Sequence, residues 1–461
     1  MSTSLKASKH PYSFCLKNRS ALYCFLALLA QQLIVASSTL WIVRLSHDVV
    51  SGSAFSTNLF LYLSSLILPY IPAAVMCVFL IKWEQGLIKK YIHLFITANS
   101  HNTHLWNNKR KKEEFISTVN HEGSQTINQA VEYYFSLTST ALNTLLNVIT
   151  ISFLIDYLFI FSYAMSLIIS FALIKFQDRH HSELAERAQK SRIELGKSIL
   201  SFWDNVVLGN VYNLNFWKKT TDDRIDRTVK NNVATTVFRE LISIGISLTT
   251  FLPSLFVVAY GMFNHIGEPV ALAAYVVIMP RLFLILSYTY NFLYLITQFG
   301  ATKKKVTTIL TVIDSQELQE RSFYAPRIDW QMIQLHGSNT IDHPASLDSV
   351  VEVIEHPGRI TVRGKNGSGK SSLLLELKSI FKEDAFYLPS QNHLHFSFGE
   401  REKSTGELLK EQLEEVYKYV EAKIILLDEW DANLDAVNQS QLSQLIDQIA
   451  QIKCVVEVRH R

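Results

Sequence analysis

The sequence predicts an α-helical bundle of six membrane spans with long cytoplasmic helix extensions, followed by a smaller α/β domain built around a phosphate-binding loop. Six mostly apolar stretches of ~20 residues or more, enough to cross ~30 Å of hydrocarbon, lie in the first two thirds of the chain. Lys and Arg gather in the connections on one side of these stretches. The last third holds Gly364-Lys-Asn-Gly-Ser-Gly-Lys-Ser371 between a short strand and a helical run. At 461 residues the chain exceeds the ~250–300 that one core holds, and the division is expected at 1–315 and 316–461.

Composition excludes several classes. The chain is 48% hydrophobic and 18% charged, with a mean hydropathy of +0.13, which rules out a disordered chain, a collagen-like repeat or a coiled coil. A net charge of +3 is too small for a nucleic-acid binder, so no nucleic acid is expected as partner. Cys15, Cys24, Cys77 and Cys454 are too scattered for a disulfide framework or a zinc site.

The apolar stretches are 21–45, 58–81, 135–155, 157–176, 241–264 and 270–297, and the third and fourth meet at Asp156 in a hairpin with almost no loop. A signal peptide is the rival reading of the first, but the run is too long for a signal core and lacks a clear small-residue cleavage site. Lys82, Lys89, Lys90 and Lys109 to Lys112 follow the second span; Arg179 to Arg239 follow the fourth; Lys303 to Lys305 follow the sixth. Loops 46–57 and 265–269 carry no Lys or Arg. Both termini and every long connection are therefore expected in the cytoplasm.

Residues 82–134 and 177–240 are nearly free of Gly and Pro and mix apolar with charged residues, a composition suited to helix. The spans are expected to continue into the cytoplasm, with reversals near 107–112 and 205–215. Residues 306–330 read as a connecting helix and linker.

Arg359–Arg363 reads as a strand and Ser372–Phe381 as a helix, the setting that a G-x-x-x-x-G-K-S loop needs. Its glycines let backbone N–H groups converge on phosphate oxygens, and the helix N-terminus adds positive potential. Gly364, Asn366, Gly367, Ser368, Gly369, Lys370, Ser371 and Ser372 are the expected nucleotide contacts, with Lys370 on the β- and γ-phosphates and Ser371 on Mg²⁺. Ile424–Leu427 reads as a buried parallel strand beside that loop, ending in Asp428 and Glu429. Asp428 suits the Mg²⁺ water shell, and Glu429 suits the orientation or deprotonation of attacking water.

At this point the chain resembles a half-size ATP-binding cassette exporter with its membrane domain first. Leu388-Pro-Ser-Gln391 is similar to the glutamine loop, Asn433-Leu434-Asp435 to the end of the loop after the second carboxylate, and Val455–Arg459 with His460 to the switch histidine and its strand. Asp428-Glu429-Trp430 is similar to a variant in the branch exporting cyclic peptides, microcins and siderophores. The resemblance implies an α/β P-loop NTPase domain, ATP and Mg²⁺ as cofactors, Gln391 as a further Mg²⁺ contact, and Glu429 with His460 as catalytic residues. It also implies a homodimer or a heterodimer with another half-transporter in a lipid bilayer, here a bacterial inner (plasma) membrane. The cargo would be a peptide-like or other amphipathic small molecule.

The sequence also departs from that pattern. The signature that would reach the partner cassette's ATP is best matched by Ser404, Thr405 and Gly406, with Phe396–Glu400 as a rival. Only twelve residues separate Gln391 from Ser404, so the domain lacks most of the family's helical subdomain. Trp330 and His336 are the candidates for stacking adenine. Two functions stay open: an ATP-driven exporter, and a nucleotide-binding membrane regulator or degenerate subunit with little turnover.

One residue of the spans stands out. Arg281 follows Pro280 near the middle of the sixth stretch, where an unpaired charge costs at least ~2.5–3.5 kcal/mol. It is expected either on a substrate path with Tyr288, Asn291 and Tyr294, or in a structural pairing with a carboxylate or a backbone carbonyl.

Overall fold

The computed structural model describes residues 11–100, 102–108, 112, 123–313, 324–337, 344, 346–354, 356–390, 394–397, 405–432 and 434–459. The chain packs as two compact units, one of residues 1–91 with 122–310 and one of residues 92–121 with 311–461.

The first unit is helical: α1 (Pro11–Leu16), α2 (Arg19–Ser51), α3 (Ser56–Ile67), α4 (Tyr70–Asn99), α5 (Gly123–Leu154), α6 (Leu158–Leu200), α7 (Val211–Asn264) and α8 (Pro269–Ile313). Among the described residues, six helical segments, with α3 and α4 forming one, are long and apolar enough to cross a membrane. The chain thus has the make-up of an integral membrane protein, with transmembrane helices where the hydropathy places them. Pro69, which has no N–H to donate, separates α3 from α4. Gly52, at φ +70°, closes α2 in the left-handed conformation that glycine reaches without strain. Asp48 then ties the first turn together, accepting from Asn58 Nδ2 at 2.6 Å and Ser53 Oγ at 3.2 Å. The turn after the third span is as short as expected, with the Asp156 carboxylate accepting from Leu158 N at 2.9 Å.

Helices α6 and α7 continue far past their apolar stretches and are laced by side chains along their length. Ser162 meets Ser254 at 3.2 Å and Ser170 meets Thr249 at 3.3 Å. Farther along, Thr228 Oγ1 donates to Ser191 O at 3.1 Å and Trp217 Nε1 to Ser198 O at 3.0 Å. The reversal between them spans 201–210, with a π-helical turn at Trp203–Val207 and Gly209 at φ +65°, somewhat earlier than the expected 205–215. At the first reversal α4 ends at Asn99 and a 3₁₀ turn follows at Thr103–Leu105, while residues 109–111 of the expected 107–112 lie outside the described residues.

The second unit holds a five-stranded mixed sheet of β1 (Gln334–Gly337), β2 (Gly358–Arg363), β3 (Ala385–Leu388), β4 (Ile424–Asp428) and β5 (Cys454–Val458). Strand order is β1-β2-β5-β4-β3, with β1 antiparallel at the edge and the rest parallel. Both β4 and β5 are buried at every position, as parallel strands covered on both faces must be. On one face Ile360, Val362, Leu426 and Val456 pack against α9 (Leu347–Ile354) and α10 (Lys370–Phe381). On the other, Ile425, Leu427 and Val455 pack against α11 (Thr405–Tyr419) and α12 (Ala436–Ala450). β5 lies between β4 and β2, the strand that leads into the glycine loop.

Candidate functional site

The glycine loop leaves β2 at Gly364 and enters α10 at Lys370. Gly367 and Gly369 have φ of +87° and +89°, where a side chain would be strained. A Cβ on Gly369 would also collide with the carbonyl oxygen of Arg327, whereas the space beside Gly367 is open. No side chain caps α10, so the unpaired N–H groups of its first turn face the loop. The Ser368 hydroxyl is buried without a partner among the described residues. Lys370 folds back so that Nζ donates to Gly364 O at 2.9 Å and Lys365 O at 3.3 Å, neutral acceptors that a phosphate would outcompete.

Across the sheet edge, Asp428 reaches this loop despite the intervening strand. Ser371 Oγ donates to Asp428 Oδ1 at 3.0 Å, and the Tyr387 hydroxyl donates to Oδ2 at 2.9 Å. Burial pushes the Asp428 carboxyl above its ordinary range; the two hydrogen bonds pull it down and neighbouring Glu429 pushes it further up. Burial and the Asp428 charge raise the Tyr387 phenol as well, so it stays a donor. A hydroxyl and a buried carboxylate 3.0 Å apart form the hard-oxygen pair that suits Mg²⁺. Glu429 follows with φ +48°, an uncommon conformation for a non-glycine residue, held by its N–H on Val458 O at 2.9 Å.

Lys370, Ser371, Asp428 and Glu429 are therefore brought together at the C-terminal edge of the parallel strands. Asn366 is exposed in the loop, and Ser372 is half-buried in the first turn of α10. Gly406 instead packs in its own chain: a Cβ there would lie 3.0 Å from Asn438 Nδ2 on α12. Asp435 caps α12 through Asn438 N at 2.7 Å. Thr405 is the first residue of α11. Gln391, Asn433, Ser404 and His460 lie outside the described residues. Trp330 lines an open cavity of about 880 Å³ with Pro326, Arg327, Ile328, Asp329, Gln331 and Pro344. That segment abuts the loop, since Asp329 N donates to Ser368 O at 3.0 Å. His336 stands exposed on β1 opposite Thr361 and does not line the cavity.

Two features escaped the sequence reading. The first is Tyr387, whose ring meets Trp106 edge-on at 6.3 Å; beside them Tyr324 donates its hydroxyl to Thr103 O at 2.8 Å. The connection after the second span is thereby built into the same unit as the sheet. The second is Glu457, fully buried on β5, the middle strand of the sheet. It accepts from Arg359 Nη2 at 2.8 Å, Thr361 Oγ1 at 2.7 Å, Trp430 Nε1 at 2.8 Å and Arg459 Nε at 2.9 Å. Burial alone would raise its carboxyl, but Arg359, Thr361 and Arg459 outweigh burial and hold it below the ordinary range. A charged residue recurring in adjacent strands, Arg359 in one and Glu457 in the other, was the available signal. Trp430 is thus anchored to the sheet by this carboxylate.

In the membrane-spanning unit, Arg281 has no acidic partner among the described residues. Nη1 donates to Thr39 Oγ1 at 2.9 Å and Val35 O at 3.4 Å, and Nη2 donates to Ser38 Oγ at 2.5 Å. Tyr288 and Asn291 are exposed farther along α8, and Tyr294 is half-buried.

No protein-family model matches this sequence, and no curated protein matches it significantly.

Proposed function

We propose that the chain is an ATP-driven half-transporter that works as a dimer and exports a peptide-like or other amphipathic small molecule. The observation that carries this reading is the meeting of a glycine loop, an uncapped helix start and the Ser371–Asp428 pair, in a chain that also has six helices able to span a membrane. Lys370 and the loop N–H groups would bind the ATP phosphates. Ser371 and Asp428 would hold Mg²⁺, which supplies charge neutralisation on the phosphates. Glu429, one residue past the metal carboxylate, would orient attacking water, and His460 would sense the γ-phosphate. Trp330 is favoured over His336 as the adenine platform because it lines the cavity beside the loop. The resemblance supports a second copy or another half-transporter as the partner that completes the assembly. It also supports a bacterial inner (plasma) membrane, and the Lys and Arg distribution supports cytoplasmic termini.

One observation favours the second function, a nucleotide-binding regulator: Tyr387 occupies the other oxygen of Asp428. Hydrolysis of MgATP by the purified full chain, against an Mg²⁺-free control and the Glu429→Gln variant, separates the two. Turnover above the variant's background supports the exporter, and its absence supports the regulator.

A further inference from the structure

The six apolar stretches contain not one Asp or Glu. Arg44 and Lys175 lie within a turn of a stretch's end, where a long side chain reaches the interface. Arg281, near the middle of 270–297, has no such exit, and arginine keeps its charge in proteins. Its partners Ser38 and Thr39 are buried, and none of Ser38, Thr39, the Val35 carbonyl and the Tyr62 side chain, which also hydrogen-bonds it, is an Asp or Glu carboxylate. The polar groups that continue along the same helix are neutral too. Gln32, two turns from Thr39, accepts from Asn143 Nδ2 at 2.8 Å, and Asn147 Nδ2 donates to Asn143 O at 2.8 Å. The first, third and sixth spans thus share a belt of buried polar side chains carrying one positive charge and no negative one. A second copy of the chain would add another Arg281, not a carboxylate. Arg281 is half-buried, a charge inside a span without a counter-charge is costly, and an anion from outside the chain would offset that cost.

We propose that Arg281 is an oxyanion-binding site that takes the acidic group, carboxylate or phosphate, of an amphipathic molecule within the membrane. Ser38, Thr39 and Val35 hold the guanidinium fork in place, and the oxyanion supplies the charge that the spans lack. The identification of that molecule as cargo rests on the exporter reading; the site itself does not.

Equilibrium binding to the full chain in dodecyl maltoside, a detergent without phosphate, tests this with radiolabelled N-lauroylglycine and its uncharged amide. The native chain should bind the carboxylate about tenfold or more tightly than the amide. Arg281→Gln should remove the preference, and Arg281→Lys should keep part of it. If Arg281→Gln does not fold, Ser38→Ala with Thr39→Val retains the charge but frees the fork, and the preference should fall. Displacement of the carboxylate by added phosphatidylglycerol would assign the oxyanion to lipid, and failure to displace it would assign it to a free acidic solute. Equal binding of both probes, or a preference that survives Arg281→Gln, overturns the proposal. ATP turnover without a carboxylate preference would sink this proposal alone, whereas a preference without turnover would sink the exporter reading alone.

Discussion

Tyr387 donates its hydroxyl to Asp428 Oδ2 at 2.9 Å, on the carboxylate whose other oxygen already receives Ser371. The phenol therefore competes with a metal's water shell for Asp428, and it does so from a ring that touches Trp106. Tyr387→Phe should release Oδ2 and lower the Mg²⁺ concentration needed for half-maximal ATP binding about fivefold, the equivalent of one hydrogen bond of ~1 kcal/mol. Mg²⁺ titration of nucleotide binding checks this; an unchanged or raised requirement would refute it.

Glu429 joins a functional side chain to an uncommon backbone, φ +48°. Glu429→Gly should stabilise the C-terminal unit by ~1 kcal/mol, since glycine adopts this conformation without the left-handed penalty. Glu429→Gln should leave stability unchanged. Both should abolish turnover while preserving ATP binding, whereas Lys370→Ala should weaken binding itself. Thermal unfolding with parallel ATP-binding and hydrolysis assays distinguishes the three.

Gly406→Asp should disturb the chain's own packing first, because a Cβ there already lies 3.0 Å from Asn438 Nδ2. ATP binding by one chain should persist, and the ATP-bound dimer that Glu429→Gln accumulates should fail to form in the double variant. Size-exclusion chromatography with ATP reads this directly. Normal dimer formation would remove Gly406 from the interface.

The Glu457 network should make the C-terminal unit acid-sensitive. A carboxyl held below its ordinary value stabilises the fold fully above the unfolded-state pKa of about 4.3, and that stabilisation is lost as pH falls through the lower folded value. Glu457→Gln should cost ~3 kcal/mol at pH 7, leaving Arg459 beside a neutral group and Arg359 with Asp447 alone, and should flatten the acid limb of the stability curve. Urea unfolding between pH 3 and 7, as a range of roughly four units, measures both.

Orientation is checked by labelling with an impermeant thiol reagent after exposed Cys77 is replaced by Ser. Cysteines at Ser53 and Ile266 should react in intact cells, and one at Lys219 should not. Reaction at Lys219 would reverse the topology. Ser53 is preferred to Gly52, whose φ of +70° would strain any side chain.

Features that depend on neighbours in the chain are legible in its residues alone. Span positions follow from local hydropathy, the Asp156 hairpin from the closeness of two apolar runs, and the glycine loop from residues 364–371 acting as one contiguous turn. These features need no distant partner, so spacing reveals them. Tertiary structure alone decided what depends on strand order and helix contact. It put β5 between β2 and β4 yet left Asp428 within 3.0 Å of Ser371, fifty-seven positions earlier in the chain. It brought Tyr387 to that carboxylate, gathered two arginines around Glu457, and gave Arg281 neutral partners on the first span. A buried polar or charged group must find its partners wherever the fold carries them, and only the packed chain says where that is.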